Sequence, residues 1–558
     1  MAKERAPAEQ ELPALPMKVF VSAAPFFAGL FYEPYCALAS LCLIGWLVYC
    51  CKRRGAFRLR PGPELLATAA VALFYAASAL WAVDRGMAPV GFIKFLPLPL
   101  FVLSCGFLSS EQRRGLLEPL PYCAALMVVL SLLLGAIPAL RDYFYVNRRL
   151  AGFFQYPNTF ALYALLGIPV LVSQEKWGAP ELVCLIVLLA GIVLSGSRTV
   201  TVLLAFVVIL YAFLLKGKRR IVLGAGLVLM LTAAAVFARL TGDVSSAGRY
   251  LTTSAGSSTL LGRLLYFRDA LPVIVRHPFG LGYLGYWYTQ GSFQTGVYSV
   301  MHIHNDLLQF LLDVGWVPAG LLVWIVLRGF RRGDLTRRVM IGVMTAHLLL
   351  DFDMQFAAMD ILLLAAIDQR PGRRTVRLSG AALLAAGGVL AAACLYFGAA
   401  SALYYTGNTA ACAAVCPGYT PAQTELLTEA DSVEVMGDIA EEILSHNDSV
   451  AIAWNARARI AYSEGDMGRM IECKKRAISL DKYTLEEYLD YADYLSVGLR
   501  MYTEAGDTAS ASVCRGELRA IPAMLDAVRD GTSALGWRIT DQPSLELPAS
   551  YSWLLELP

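Results

Sequence analysis

Charge is scarce in this sequence and histidine scarcer. Of 558 residues, 16% are Asp, Glu, Lys or Arg and five are histidine, whereas 57% are hydrophobic. Soluble domains carry about 25% charged residues, so a chain this long with so little charge is excluded from the soluble class and reads as a polytopic membrane protein. The shortage of histidine excludes a histidine-rich metal binder. Cysteine is present twelve times, but most copies, Cys36, Cys42, Cys50, Cys51, Cys105, Cys123 and Cys184 among them, lie in apolar runs without ligand spacing and read as small core residues. Cys412 and Cys416 differ, because they flank a short segment just past the last apolar run, where a local disulfide is one reading. The N-terminal MAKERAPAEQELPALP, residues 1–16, has no cleavage-site pattern and reads as a cytoplasmic tail.

What is there is a succession of apolar runs. A hydrocarbon core about 30 Å thick needs about 20 apolar residues per helix. Runs of that order recur near 17–33, 35–51, 63–83, 88–108, 117–138, 157–174, 179–195, 200–215, 221–238, 305–327, 338–350, 354–368 and 379–402. That is about thirteen spans between residues 17 and 404. The pair between 338 and 368 is short enough to be tilted or re-entrant. Basic residues cluster in alternate loops, as in Lys52, Arg53, Arg54, Arg58 and Arg60, in Lys216, Lys218, Arg219 and Arg220, and in Arg370, Arg373, Arg374 and Arg377. By the positive-inside rule these loops are cytoplasmic. The segments 139–156, 195–199 and 239–304, and the region 405–558, are then external. That last region has ordinary charge content and helical periodicity, and AWNARARIAYSEGDMGRMIECKKRAISLDK (453–482) resembles one tetratricopeptide unit through Trp454, Ala458, Gly465 and Ala477. Further helices are expected at 433–446, 484–498 and 507–530, giving an external helical module whose role is contact with protein or glycan.

Four external motifs carry cations or imidazoles. NRRLAGFFQYPN places Arg148 and Arg149 ahead of Pro157-Asn158, a pair that reads either as a helix start or as part of a site. External arginines run against the positive-inside bias, and guanidinium suits phosphate. SGSRT (195–199) sets Arg198 at a tight turn, where Ser197 and Thr199 are alternatively caps. In the segment 262–291, Arg263 and Arg268 lie on an amphipathic helix that is either a solvated face or a binding face. MHIHNDLLQF (301–310) holds His302 and His304 at i and i+2, which do not share a helical face, so a metal site is disfavoured. Asn305 or Asp306 starts a helix, and His304 at its mouth is placed to accept a proton from a hydroxyl. Lys94 is an intramembrane cation, which is costly and therefore reads as functional. His347, Asp351 and Asp353 in HLLLDFDMQF either orient the cations or form a polar hairpin tip.

Taken in order, these motifs resemble the O-antigen ligase and polymerase superfamily of bacterial membrane glycosyltransferases. The matching pieces are Arg149 with GFFQYPN, SGSR at 195–198, GR at 262–263 followed by a helix and HPFGLGYLG, and HNDLLQFLLDVGWVPAG at 304–320. The resemblance implies an all-α, GT-C-like fold and a metal-independent, inverting enzyme in the bacterial cytoplasmic membrane that needs no cofactor. It implies an undecaprenyl-diphosphate-linked glycan as donor and a glycan, lipid or protein hydroxyl as acceptor. Arg149, Arg198 and Arg263 would neutralise the diphosphate leaving group, with Lys94, Asn158, Arg268 and Asn305 as further substrate contacts and His304 as base. No nucleic acid is expected as a partner, and the C-terminal helical domain is a candidate for a protein partner. Rival readings are a polysaccharide transporter or flippase, whose intramembrane cations would line a path, and a non-catalytic scaffold of an assembly complex.

Overall fold

The computed structural model describes residues 12–54, 57–59, 61–214, 219–228, 232, 258–367, 369, 372 and 375–556. Most of the tail 1–16, much of the run 221–238 and the first part of the segment 239–304 lie outside the described residues, as do Arg60, Lys216, Lys218, Arg370, Arg373 and Arg374. The described chain is helical with two small strand ladders, in keeping with an all-α membrane fold. Among the described residues five helices are long and apolar enough to cross a membrane: Glu33–Arg53, Pro63–Leu80, Ala88–Cys105, Ser110–Gly135 and Gly380–Tyr405. Shorter apolar helices add Leu15–Phe26, Pro157–Ser173, Ala179–Ser195, Arg198–Leu214 and Ala357–Ala366.

The helix Gly380–Tyr405 has 26 residues and so extends about 39 Å at 1.5 Å per residue, more than a hydrocarbon core. It packs on the helix Glu33–Arg54, and a Cβ at Gly398 would come within 2.7 Å of Ala37 Cβ. Small residues at such crossings let backbones approach closely, which matters where lipid offers no hydrophobic drive. The helix Pro157–Ser173 is the opposite case, since almost every residue in it is buried by protein. It is the central post of the bundle, and its N-terminus brings Asn158 and Thr159 to one end.

The run 305–327 is not one span. It divides at Gly315 (φ 76°) into Asp306–Val314 and Trp316–Arg332, because the chain there presses against the Pro278 carbonyl, leaving no room for a Cβ. The short pair near 338–368 forms Leu335–Leu348 and Ala357–Ala366. At about 21 and 15 Å each is shorter than a hydrocarbon core, and the loop between them, 349–356, which holds a single 3-10 turn at Asp353–Gln355, is mostly buried by protein, which is where irregular backbone at membrane depth is tolerated.

The bundle has two distinct ends. At one, Phe57–Leu59 pairs antiparallel with Val376–Leu378, Lys18 Nζ meets Glu118 at 2.7 Å and Arg328 pairs with Glu64. At the other lie the loops 81–87, 277–305 and 349–356, and this end carries the helices of the C-terminal region. Helices Val433–His446, Ala451–Ser463, Met467–Leu480, Leu485–Glu504 and Thr508–Gly531 pack as successive neighbours. Ala458 and Ala477 are fully buried where two of them meet, and Gly465 turns the chain at φ 79°. The region is tied to the bundle by Asn447 Nδ2 donating to Asp84 Oδ2 at 3.0 Å, Arg85 N to His446 O at 3.1 Å and Ser533 N to Thr295 O at 2.9 Å. Cys412 and Cys416 are buried free thiols.

Candidate functional site

The site is built around a carboxylate. Asp351, buried in the loop 349–356, accepts hydrogen bonds from Tyr156 Oη at 2.7 Å and Asn158 Nδ2 at 2.7 Å. His304 Nδ1 lies 3.1 Å from its Oδ1 and Arg263 Nη2 3.5 Å from its Oδ2. Asn158 Oδ1 in turn accepts from Arg149 Nη2 at 2.7 Å, and Arg149 Nε donates to the Ser195 carbonyl at 2.7 Å. Four segments far apart in sequence thus meet at one acidic hub.

Local sequence explains each placement. Arg149 leaves a two-residue hairpin, Tyr145–Val146 against Arg149–Leu150, whose turn residues Asn147 and Arg148 both have positive φ (49° and 61°), as the tight turn that matches strand twist requires. Its partner carbonyl, Ser195, ends the helix Ala179–Ser195, closed by Gly196 at φ 60°, and a cation is favoured at a helix C-terminus. Arg198, three residues on, is half-buried at the first position of the next helix, Arg198–Leu214, where the dipole disfavours a cation. Asn305 caps Asp306–Val314 by accepting from Leu308 N at 3.0 Å, and its Nδ2 donates to Leu349 O at 2.9 Å, pinning the two loops together. Asn158, by contrast, is no cap: its amide bridges Arg149 and Asp351.

The electrostatics fix protonation. Burial alone would raise the Asp351 pKa, but the hydrogen bond from His304 and the charges of Arg263, His304 and His347 outweigh it and hold the carboxyl below the usual carboxylate range. An ionised Asp351 only accepts, so His304 Nδ1 carries the hydrogen, and in the neutral form of the ring Nε2 is the acceptor. His304 sits at φ 54°, an unusual backbone for a side-chain-bearing residue. Its side chain is 21% exposed and that of Arg263 is 14%, against 2% for Asp351. The basic and cationic groups therefore reach solvent while the acid between them does not.

Other expected residues fall elsewhere. Lys94 is buried (1% exposed), donates to Phe31 O at 3.0 Å and lies 4.5 Å from the Phe31 ring centroid. His302 is buried against Phe31 and Phe352, with neither ring nitrogen hydrogen-bonded. Burial first, and the charges of Lys94 and His304 second, hold its pKa well below the ordinary imidazole value, so this ring is neutral. Phe31, Phe352 and Phe356 form an aromatic layer between the Lys94 region and the Asp351 hub. Arg268 is exposed; at five residues from Arg263 it lies about 140° around the helix. The two carboxylates of Asp351-Phe-Asp353 do not act as a pair. Asp353 accepts from Thr159 Oγ1 at 2.7 Å and bonds His347. Among the described residues no group of three His, Cys, Asp or Glu side chains stands at metal-ligand spacing. The contributors not singled out from sequence are Tyr156 and the Ser195 carbonyl. Tyr156 adjoins the flagged Pro157-Asn158 pair, but a backbone carbonyl leaves no residue-type signal.

No curated protein and no solved structure matches the chain. Residues 183–325 match the family model described as O-antigen ligase, a segment that holds Arg198, Arg263, Arg268, His304 and Asn305, while Arg149, Asn158 and Asp351 stand outside it. The multi-pass helical architecture and this match agree: over residues 183–325 this membrane protein is similar to the O-antigen ligase family, which supports a glycan ligase or polymerase type of activity.

Proposed function

We propose that this protein transfers a glycan from an undecaprenyl diphosphate carrier to an acceptor hydroxyl at the external face of the bacterial cytoplasmic membrane, with inversion and without a metal. The observation that carries the reading is the Asp351 hub, which joins a solvent-reaching imidazole to two arginines from distant segments. The acceptor O–H gives its proton to His304 Nε2 as the oxygen bonds the anomeric carbon. The bond from that carbon to the phosphate oxygen breaks, and the electron pair leaves with the diphosphate. Arg263, Arg149 and Arg198 meet the charge developing there, and guanidinium suits this better than ammonium because it binds phosphate oxygens in pairs. Asp351 keeps the base in the tautomer that leaves Nε2 open. Lys94, behind the aromatic layer, contributes through its field and through packing. The C-terminal helical region, with its tetratricopeptide-like hairpin, stands at the same end of the bundle and would present an acceptor or a partner. Which acceptor it is, glycan, lipid or protein, does not alter the chemistry.

The test is transfer by the purified full-length chain from a lipid-linked glycan, comparing wild type with His304→Ala and Arg263→Ala at equal folded amounts. Loss of transfer with donor binding retained in His304→Ala fits a base. Full transfer by His304→Ala would overturn it. Donor accumulating on the cytoplasmic side in cells carrying either variant would favour a transporter.

A further inference from the structure

The end of the bundle opposite Asp351 holds a second cationic feature that the transfer reaction does not use. A pocket there is lined by Cys105, Arg113, Arg114, Arg337, Leu116 and Ile367, among others. Three helices define its position, because each has its other end near the His304 loops. Ala88–Cys105 begins at the loop 81–87, Leu335–Leu348 ends at the loop 349–356, and Ala357–Ala366 begins there. The described lining contains three guanidiniums and no carboxylate.

These arginines are built in to different degrees. Arg113 is held by the chain itself, its Nη1 donating to Leu108 O at 2.5 Å and Cys105 O at 3.4 Å and its Nη2 to Ser110 Oγ at 3.1 Å. Arg337 is 6% exposed, and Asp334 stands 3.9 Å away with a carboxylate that is itself 62% exposed. Arg114 is exposed at the mouth. Two fixed guanidiniums and one free to close over them suit a tetrahedral anion, which has more oxygens than one arginine can engage. Beside them Leu116, Ala365 and Ile367 form an apolar wall, which a free anion has no use for.

We infer that this pocket binds a phosphate-bearing ligand, with the phosphodiester headgroup of an anionic membrane lipid as the occupant its apolar wall favours. Basic pockets between transmembrane helices recognise such headgroups by charge, and an apolar wall beside them suits the start of the acyl chains. The site is independent of the transfer reaction, and its failure would leave that reading untouched.

The experiment is native mass spectrometry of the full-length chain in neutral detergent, titrated separately with phosphatidylglycerol and phosphatidylcholine. One phosphatidylglycerol should be retained about tenfold more tightly than phosphatidylcholine, and Arg114→Glu should lose about tenfold of that preference. Lys52→Glu, an equal charge change at an exposed position of the same end, should keep it. Arg114→Gln, a milder change at the exposed mouth, should lie between. Inorganic phosphate is the second arm. If it displaces the lipid at millimolar concentration, a soluble phosphate is an equal occupant of the anion site; if it does not, the lipid is the source. Equal retention of the two lipids by wild type, or equal losses in Arg114→Glu and Lys52→Glu, would overturn the inference.

Discussion

The Asp351 hub and the Lys94 region lie on either side of one aromatic layer and hold charge in opposite ways. Above the layer, a buried acid is surrounded by cationic and imidazole groups that reach solvent. Below it, a buried cation is satisfied by a backbone carbonyl and a ring face. The first arrangement leaves acceptor and donor capacity facing outward for a substrate, and the second spends its capacity inside the fold. Intramembrane charge is a pointer to function, but the direction in which its partners face decides whether it does chemistry.

Mutations can break this contrast. The largest effect is expected for His304→Ala, with transfer falling about 100- to 10,000-fold and little change in melting temperature, measured by single-turnover transfer beside a thermal melt. Asp351→Asn should lower transfer about 100-fold through the wrong imidazole tautomer and cost about 3 kcal/mol by leaving Arg263 without its acid; a melt as high as wild type would separate the hub from stability. Arg263→Lys keeps the charge but loses the fork, so about a tenfold loss in kcat/KM is expected. Lys94→Met belongs to the other side of the contrast: folded yield should fall while transfer per folded molecule stays within about threefold, since a few-fold change is less than one tenfold step. A larger loss would return Lys94 to the substrate.

The pH response sharpens the same point. The folded-state pKa of Asp351 lies below the ordinary value near 3.9. Its stabilising contribution is therefore fully present above that value and is lost as pH falls from there toward the folded value. The gap in melting temperature between wild type and Asp351→Asn should be constant from pH 5 to 8 and close only in stronger acid. A gap that shrinks between pH 7 and 5 would mean that the carboxyl titrates in the ordinary range.

The sequence carried the helices well, because an apolar run of membrane length admits few other structures. It carried the C-terminal helices too, with 433–446 found at those limits, 507–530 shifted by one residue, and 484–498 extended to Glu504. It did not reveal the break at Gly315, because leucine-rich stretches read the same on either side and the cause is a distant carbonyl. In the site, His304, Arg149 and Arg263 were legible as an imidazole and cations expected on the external side. The role of Asp351 was not, since a carboxylate in a hairpin tip gains its meaning from residues 47, 88 and 193 positions away. Asn158 was open between a helix start and a site, because Pro-Asn is good punctuation for a helix start, and its amide bridges Arg149 and Asp351.

The left-handed backbone at His304 has an evolutionary corollary. Glycine holds that conformation without steric cost, and asparagine with less than most residues. Replacing His304 by either relieves about 1 kcal/mol of backbone strain but removes the hydrogen bond to Asp351, worth about as much, so thermal stability should change little while the base is abolished. Folding alone therefore gives little net reason to keep an imidazole at this position. A population of variants screened only for expression and heat resistance should drift away from histidine at 304, whereas one screened for surface glycan should not.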